Sequence, residues 1–513
     1  MTHPYALEAV NITKVFPETI ANENINFALR KGEIHALLGE NGAGKTTFMN
    51  ILYGIYLPTS GQIYIDGKPV EIKTPMDALK MGIGMIHQHF MLVEPLTVAE
   101  NVILGMKEAG FLLKMNEVAK KVKEISETYS LNVDPYKKIW QLSVGQQQKV
   151  EIIKVLFRGA NILILDEPTA VLRPQETGPL FEILRRMKKK GKSIIFITHK
   201  LDEVMAVADR ISILRKGKLV ATVNAEDVTK RELAQMMVGR SVLFEFEKKK
   251  KEAKENLLIV NDLDVYSDKQ GIKVVDDVSL TVKKGEIFGI AGISGNGQQE
   301  LVQAVAGLLK ASRGRIIYNE KDITNKHPRY IAQQGINYIP ADRIGMGLAP
   351  DLSCTENAIM RNYYKPPICR GFIIDYNRAR QHTRRIVEMF NIAVADIDEP
   401  VKLLSGGNMQ KLLFGRELFE KPKLLIASYP TRGLDIASTE FVRKQMLKIR
   451  DDGLSVILIS EDLDELLSIS DRIAVMYQGK IMGISRADEI DKNTIGLMMA
   501  GTTLEELRKD AVL

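Results

Sequence analysis

Short apolar runs alternate with helix-like segments along the first half of the chain. The run Ile34–Leu38 predicts a buried strand that ends in a glycine-rich loop, and Thr46–Tyr53 predicts a helix directly after it. Ile162–Leu165 and Ser193–Ile197 predict further buried strands. Elements in this order indicate an α/β fold with a mostly parallel core. The segment from Leu96 to Leu142 has a helical pattern instead, so we expect a separate helical lobe there.

The second half of the chain repeats the first. RKGEIHALLGENGAGKTT returns as KKGEIFGIAGISGNGQQE, and ILILDEPT returns as LLIASYPT, in the same order and at a slowly growing spacing. We therefore predict two domains of common origin, at residues 5–243 and 257–509. The segment 244–256 between them is FEFEKKKKEAKEN, which we interpret as a charged, solvated linker. Its lysine run could alternatively form a patch for a membrane or a nucleic acid.

Composition excludes several classes of protein. The 513 residues are 45% hydrophobic and 26% charged, which suits a globular protein with more than one core. No apolar run approaches the ~18 residues that a membrane span needs. Met1–Pro17 lacks the apolar stretch of a secretory signal, and two cysteines are too few for a disulfide framework. We expect a protein of the reducing cytosol. A net charge of +7 spread over this length is weak evidence for a nucleic acid or an anionic membrane surface. We interpret it as an ordinary solvated surface and expect no nucleic-acid partner.

The first copy contains a phosphate-binding loop of the form GxxxxGK[ST]. Its glycines let successive backbone N–H groups turn towards phosphate oxygens at a helix N-terminus. Lys45 would reach the β- and γ-phosphates, and Thr46 would hold Mg²⁺. The predicted ATP-binding residues of this loop are Gly39, Glu40, Asn41, Gly42, Ala43, Gly44, Lys45, Thr46 and Thr47.

The apolar strand Ile162–Leu165 delivers two carboxylates at its end. Asp166 would bind Mg²⁺, and Glu167 would orient or deprotonate the attacking water. Acids at a strand end can alternatively cap a helix or lie in a surface turn. The phosphate loop upstream favours the catalytic interpretation.

Leu142–Gln146, LSVGQ, closely resembles the LSGGQ signature of ATP-binding cassettes. The resemblance covers essentially the whole chain and implies two P-loop NTPase domains in tandem, each with a helical lobe. It also implies that Gln88 senses Mg²⁺ and the attacking water, that His199 contacts the γ-phosphate, and that Phe16 stacks on adenine. The predicted catalytic residues are therefore Glu167, His199 and Gln88, and the predicted Mg²⁺ ligands are Thr46, Gln88 and Asp166.

The second copy keeps the loop glycines but has lost the residues that handle charge and water. Gly292, Gly295 and Gly297 remain. The loop lysine and threonine are Gln298 and Gln299, the two acids are Ser428 and Tyr429, the sensor glutamine is Ala341, and the switch histidine is Glu461. The second copy also reads Pro-Ala-Asp-Arg at 340–343, where the family usually has a glutamate second. A site without these groups cannot stabilise phosphoryl transfer, so we predict that it does not hydrolyse ATP.

The second signature, by contrast, is intact at Ser405, Gly406, Gly407 and Asn408. Asp435 is the aspartate that the first copy replaces with Arg173. Cassettes of this family dimerise head to tail, so the resemblance implies an intramolecular pseudo-dimer. The first phosphate loop would then meet the second signature in one competent site, while the poorer partners meet in a degenerate one.

Two cassettes in one chain, a degenerate second site and PTRGLD at Pro430–Asp435 resemble the ATPases of simple-sugar and nucleoside importers. Within them, HQHFMLVEPLTVAENVILG at His87–Gly105 resembles the nucleoside type. This resemblance implies an ATP hydrolase at the cytoplasmic face of the cell membrane, with two integral-membrane permease subunits and an extracytoplasmic substrate-binding lipoprotein. A ribose or galactose importer is the alternative. A soluble translation factor with two cassettes fits less well, because proteins of that class have a long linker and keep both catalytic glutamates.

Overall fold

The computed structural model describes residues 3–17, 19–88, 90–106, 115–170, 172, 174–240, 255–267, 271–371 and 373–510. The chain divides into two compact units, Met1–Val242 and Leu243–Leu513. The predicted linker 244–256 lies outside the described residues, apart from Glu255 and Asn256. Asn256 already begins a strand. The finer boundaries at 5–243 and 257–509 stay a prediction.

The first unit follows the predicted order of strand, loop and helix. Its strands are β1 (Tyr5–Phe16), β2 (Thr19–Arg30), β3 (Ile34–Leu38), β4 (Ser60–Ile65), β5 (Lys68–Val70), β6 (Ile83–Ile86), β7 (Ile162–Asp166), β8 (Ser193–Thr198), β9 (Arg210–Arg215) and β10 (Lys218–Asn224). Its helices are α1 (Lys45–Leu52), α2 (Pro75–Lys80), α3 (Val98–Ile103), α4 (Met115–Tyr129), α5 (Val144–Phe157), α6 (Pro174–Lys189), α7 (Leu201–Val207) and α8 (Lys230–Val238).

The core of this unit is a six-stranded sheet in the order β10-β9-β3-β8-β7-β6. Neighbours from β9 to β6 pair in parallel, and β10 pairs antiparallel at the edge. Every residue of β3, β7 and β8 is buried. Central parallel strands are covered on both faces, which explains their continuous apolar runs. The parallel core is confirmed, and the carboxyl ends of β3, β7 and β8 lie side by side at one edge.

A second, antiparallel sheet in the order β2-β1-β4-β5 was not predicted. Its strands alternate buried and exposed residues with irregular register, so their apolar pattern is weaker than that of the core strands. The predicted helical segment contains α3 and α4, and α5 extends the lobe beyond its predicted end, although residues 107–114 are outside the description. Val118, Val122 and Val150 lie in the buried cluster that joins these helices to β7.

The second unit repeats the layout. Its strands are β11 (Asn256–Tyr266), β12 (Lys273–Lys283), β13 (Ile287–Ala291), β14 (Ala311–Tyr318), β15 (Lys321–Asp322), β16 (Ile336–Ile339), β17 (Cys369–Arg370), β18 (Ile373–Ile374), β19 (Leu424–Ser428), β20 (Ser455–Ser460), β21 (Arg472–Tyr477) and β22 (Lys480–Arg486). Its helices are α9 (Gln298–Val305), α10 (Pro328–Gln333), α11 (Cys354–Ile359), α12 (Tyr376–Met389), α13 (Gly406–Phe419), α14 (Ile436–Asp451), α15 (Leu463–Ile469), α16 (Lys492–Met499) and α17 (Leu504–Asp510).

The sheet orders of the second unit, β16-β19-β20-β13-β21-β22 and β12-β11-β14-β15, match those of the first unit strand for strand. The structure therefore supports the duplication that the repeated sequence predicts. A small β17–β18 hairpin lies between α11 and α12 in the second helical lobe. Among the described residues, none of the helices combines the length and the apolar character that crossing a membrane requires.

Candidate active site

The loop between β3 and α1 has the geometry of a phosphate cradle. Gly44 adopts φ +99°, and a Cβ there would lie 2.4 Å from the carbonyl oxygen of Ala21. A Cβ on Gly39 would lie 2.4 Å from the carbonyl oxygen of Leu214. Larger residues are therefore excluded at both ends of the loop, and its backbone can approach a ligand closely. Ala43 is buried, whereas Asn41 and Gly42 are exposed at the tip.

Lys45 is the first residue of α1, and its side chain folds back inside the loop. Its Nζ donates hydrogen bonds to the carbonyl oxygens of Gly39, at 2.7 Å, and Glu40, at 2.9 Å. Thr46 is exposed and Thr47 is half-buried beside it. The lysine ammonium is thus placed within the curve of the loop, where phosphate oxygens would lie.

Asn22 on β2 supports this loop, and the sequence reading missed it. Its side chain is fully buried, and its Nδ2 donates a hydrogen bond to the carbonyl oxygen of Gly44 at 3.1 Å. The sequence carries a signal in retrospect, because the equivalent position of the second copy is Val275. A buried polar residue in one repeat opposite an apolar residue in the other indicates a specific hydrogen bond.

The two predicted carboxylates lie at the end of β7, next to the loop. Asp166 is buried, and burial together with the Glu167 charge raises its pKa to about 6, although Lys45 acts in the opposite direction. Glu167 has φ +45°, and its backbone N–H donates to the carbonyl oxygen of Ile197 at 3.0 Å. This left-handed conformation is costly for a non-glycine residue, and such strain is typical of functional sites.

His199, one residue after β8, meets Glu167. The two side chains are 2.9 Å apart, from Nδ1 to Oε1. This hydrogen bond lowers the pKa of Glu167, against the effect of burial. An ionised carboxylate only accepts, so Nδ1–H is the donor. The structure thus brings together Lys45, Asp166, Glu167 and His199, the residues that the sequence proposes for phosphate, metal and water.

Two other predicted residues lie at the edges of the site. Gln88 follows β6, and its side chain is exposed. Phe16 ends β1, makes an edge contact with Tyr56 at 5.6 Å between ring centroids, and has the Lys14 ammonium 5.2 Å from its ring. Neither has a hydrogen bond or ring contact with the catalytic cluster within the described residues. Arg173, and His89 within the segment His87–Gly105, lie outside the described residues.

A buried acid stabilises the two strand ends that carry the catalytic cluster. Glu203 on α7 accepts hydrogen bonds from the hydroxyls of Thr169, at 2.6 Å, and Thr198, at 3.0 Å. These threonines flank the β7 and β8 ends that carry Glu167 and His199. The second unit keeps this arrangement, because Glu465 accepts from Thr431 at 3.0 Å and from Ser460 at 2.6 Å. Its retention in both copies indicates a structural role that is separate from catalysis.

The donor set of the first site fits Mg²⁺. Asp166 offers a buried carboxylate beside that of Glu167, and Thr46 offers a hydroxyl at the adjoining loop. Oxygen donors of this kind are the ligands that Mg²⁺ prefers together with substrate phosphates. A cation there would offset the repulsion between the two carboxylates.

The second loop keeps its shape but not its charge. Gly297 has φ +97° and Gly295 φ +91°, close to the values of their counterparts in the first loop. Gln298 occupies the lysine position, fully buried, and its Nε2 donates to the carbonyl oxygen of Ile293 at 3.1 Å. Gln299 follows it in α9. A neutral amide has therefore replaced the ammonium within the curve of the loop.

Glu461, at the position of His199, reaches into the second loop. Its Oε1 accepts a hydrogen bond from the backbone N–H of Ser294 at 3.2 Å. Tyr429, at the position of Glu167, keeps the left-handed backbone with φ +46° but is buried, and burial raises its pKa to about 12. Ser428 is buried in place of Asp166. At the described positions equivalent to Lys45, Asp166 and Glu167, the second unit thus keeps the backbone of the site but has neither the loop ammonium nor the two carboxylates.

The second signature opens α13. Ser405 caps this helix, and its Oγ accepts from the N–H of Asn408 at 3.4 Å. A Cβ on Gly407 would lie 2.4 Å from the Oγ of Ser438 in α14. Asp435 caps α14 in turn and accepts from the N–H of Ser438 at 2.7 Å. The signature and Asp435 therefore form one packed surface within the second unit.

Comparisons with known proteins place these features in context. A sequence profile for the family described as ABC transporter matches residues 22–170 and 275–432. The chain is 47% identical to the nucleoside import ATP-binding protein NupA of Lactococcus lactis, over 99% of this chain and 100% of that protein. It is 46% identical to the guanosine import ATP-binding protein NupO of Bacillus subtilis, over 98% of this chain and 99% of that protein. It is also 43% identical to the glucose import ATP-binding protein TsgD13 of Haloferax volcanii, over 98% of this chain and 96% of that protein.

Proposed function

Because the chain belongs to the ABC transporter family, we propose that it is the ATP-hydrolysing subunit of an importer for nucleosides. The observation that best supports ATP hydrolysis is the 2.9 Å hydrogen bond between Glu167 and His199, beside the loop that contains the lysine. Two permease subunits in the membrane and an extracytoplasmic substrate-binding lipoprotein would complete the transporter. The chain would then work at the cytoplasmic face.

Each residue has a defined task in hydrolysis. Lys45 and the loop N–H groups bind the phosphates, and Phe16 stacks on the adenine. Glu167 holds the attacking water and takes its proton as the oxygen attacks the γ-phosphorus, while the bond to ADP breaks. His199 holds Glu167 in place through Nδ1–H, and in its protonated form it also donates from Nε2–H to the γ-phosphate. Thr46, Asp166 and Gln88 would hold Mg²⁺, which would offset charge on the phosphates.

We place the competent site between the first loop and the second signature, in a head-to-tail pseudo-dimer. Ser405–Asn408 would close on the γ-phosphate that Lys45 holds. The packed surface of the signature and Asp435 supports this assignment, because it presents the N-terminus of α13, where Ser405 is exposed. Tethering the two units in one chain raises their effective concentration, so closure does not require a second chain.

The cargo assignment rests on relatives. Two proteins named for nucleoside or guanosine import are 46–47% identical over almost their full length. The relative named for glucose import, at 43%, favours a monosaccharide as the second candidate. Relatives named for ribose and xylose import are 38% and 39% identical.

Uptake in a deletion strain tests the cargo. Cells that lack the gene receive either the wild type or Glu167→Gln, and uptake of labelled guanosine, ribose and glucose is measured. We expect only guanosine uptake to fall on deletion, and only the wild type to restore it. A loss confined to ribose or glucose would assign the transporter to sugars. Unchanged uptake of all three would overturn the cargo assignment.

A further inference from the structure

Arg343 lies where three segments of the second unit meet. It follows β16, whose carboxyl end adjoins the degenerate site, and begins a single π-helical turn over Arg343–Gly347. Asp342 caps this turn and accepts from the N–H groups of Ile344, at 3.1 Å, and Gly345, at 2.8 Å. A π-helical turn is rare and frequently marks a functional segment.

The guanidinium of Arg343 joins two loops that are far apart in sequence. Its Nη1 donates to the carbonyl oxygen of Gly406, in the signature, at 3.1 Å. Its Nη2 donates to the carbonyl oxygen of Arg432, in the loop that leads to Asp435. Hydrogen bonds from a charged donor are stronger than neutral ones, and the planar fork fixes both acceptors in one geometry.

The surrounding glycines fit this side chain. A Cβ on Gly406 would lie 3.3 Å from Nη1, and a Cβ on Gly433 would lie 3.4 Å from Nη2. A side chain at Gly406 would therefore crowd the guanidinium slightly, whereas Gly433 lies in ordinary van der Waals contact with it. The close fit indicates a built contact between Arg343 and the two loops.

The other end of the same turn is also attached to the signature helix. Arg416 of α13 is buried, and its Nη2 donates to the carbonyl oxygen of Gly347 at 2.8 Å. The turn is thus bound to α13 at both ends, once near the signature and once within the helix. Any movement of the turn must carry α13 with it. The first copy has Phe90 at the position of Arg343, which cannot make these bonds.

We propose that Arg343 is a positioning residue that holds the second signature and the Arg432–Asp435 loop in the arrangement that engages nucleotide on the first phosphate loop. This inference rests on the composite site of the proposed function. Arg343 acts through the carbonyl oxygens of Gly406 and Arg432 and does not itself touch the phosphates. Its loss removes the hydrogen bonds that fix the carbonyl groups of Gly406 and Arg432 relative to each other, which reduces catalysis without weakening the first loop's own hold on nucleotide.

The test compares full-length variants in steady-state hydrolysis, MgADP affinity and thermal stability. Arg343→Met should lower kcat by roughly 10- to 100-fold, because small displacements of positioned groups cost this much. MgADP affinity should stay at its wild-type value, and Tm should fall by no more than a few degrees, because only two hydrogen bonds are lost. Arg343→Lys, which offers one point charge in place of the fork, should recover part of kcat. Arg380→Met, which removes an exposed ion pair with Asp398 in the same lobe, is the matched control and should not lower kcat.

Two signature variants separate this proposal from the one on which it rests. Ser405→Arg should abolish hydrolysis and Ser143→Arg should spare most of it, if the first loop uses the second signature. An active Ser405→Arg variant would overturn the composite site itself. Loss of hydrolysis in Ser405→Arg combined with wild-type kcat in Arg343→Met would overturn the role of Arg343 alone. Weakened MgADP binding or a large fall in Tm in both Arg343 variants would also overturn it, in favour of a general structural role.

Discussion

The carboxylate of Glu461 accepts a hydrogen bond from the backbone N–H of Ser294 at 3.2 Å, inside the second phosphate loop. In the first loop the equivalent backbone N–H is that of Asn41, and the residue equivalent to Glu461 is His199, which contacts Glu167 instead. The Glu461 carboxylate thus accepts from a backbone N–H that a phosphate oxygen would need as its donor. Together with the neutral Gln298, this contact disfavours a triphosphate in the second loop.

Removing Glu461 should therefore let the second loop bind nucleotide more tightly. We expect Glu461→Ala to tighten binding of a fluorescent ATP analogue by roughly tenfold, the effect of one screened charge close to the phosphates. Binding is measured in a Lys45→Ala background, so that the first loop contributes little. Glu505→Ala, a change at an exposed acid on α17, is the control. Equal binding by both variants would contradict a blocking role for Glu461.

Asn22→Val should weaken the first site without unfolding the unit. The change removes the hydrogen bond to the carbonyl oxygen of Gly44, which is worth about 1 kcal/mol, so we expect ATP affinity to fall by roughly fivefold. Valine is the residue at the equivalent buried position, Val275, and the Asn22 Oδ1 has no hydrogen-bond partner in its buried place. Tm should therefore stay equal or rise. Titration calorimetry measures the ATP affinity, and a thermal melt measures the Tm. A Tm several degrees below the wild-type value would contradict this role of Asn22.

Asp166→Asn should stabilise the nucleotide-free chain while destroying activity. A folded-state pKa of about 6, above the ordinary value of 3.8, means that ionising Asp166 costs folding free energy. This cost is absent below about pH 4, grows as the pH rises, and is complete above pH 6, where it reaches about 3 kcal/mol at most. Melts of both proteins in buffer with a metal chelator should show a gain of several degrees at pH 7.5 that shrinks by pH 5. A lower Tm for the variant at pH 7.5 would exclude this electrostatic strain.

The sequence predicted the core of the fold well because central parallel strands carry unbroken apolar runs. β3, β7 and β8 each begin at the predicted residue, and the loop and acids follow them. The antiparallel sheet of β1 and β2 escaped prediction because its strands bend, with shifts in register, and alternate only partly between buried and exposed residues. A strand is visible in the sequence only where burial is consistent along it, on one face or on both.

The parts of the site that sequence could not predict are contacts between distant residues. Arg343 and the Arg432 carbonyl are 89 positions apart, and Glu461 and Ser294 are 167 apart. Nothing in the local sequence specifies such pairs, because they depend on how the strand ends converge. The roles of Asn22 and Glu203 could have been predicted from the sequence. Asn22 differs between the two copies, and Glu203 is retained in both.

The most direct test is the steady-state ATPase rate of Glu167→Gln beside Tyr429→Phe in the purified full-length chain. Glu167 is the general base at the one site proposed to hydrolyse ATP, whereas Tyr429 holds the same strand-end position at the degenerate site. We expect Glu167→Gln to lower kcat by at least roughly 100-fold, and Tyr429→Phe to leave it within about twofold. Hydrolysis by Glu167→Gln at more than roughly a tenth of the wild-type rate would contradict a single catalytic site at the first loop.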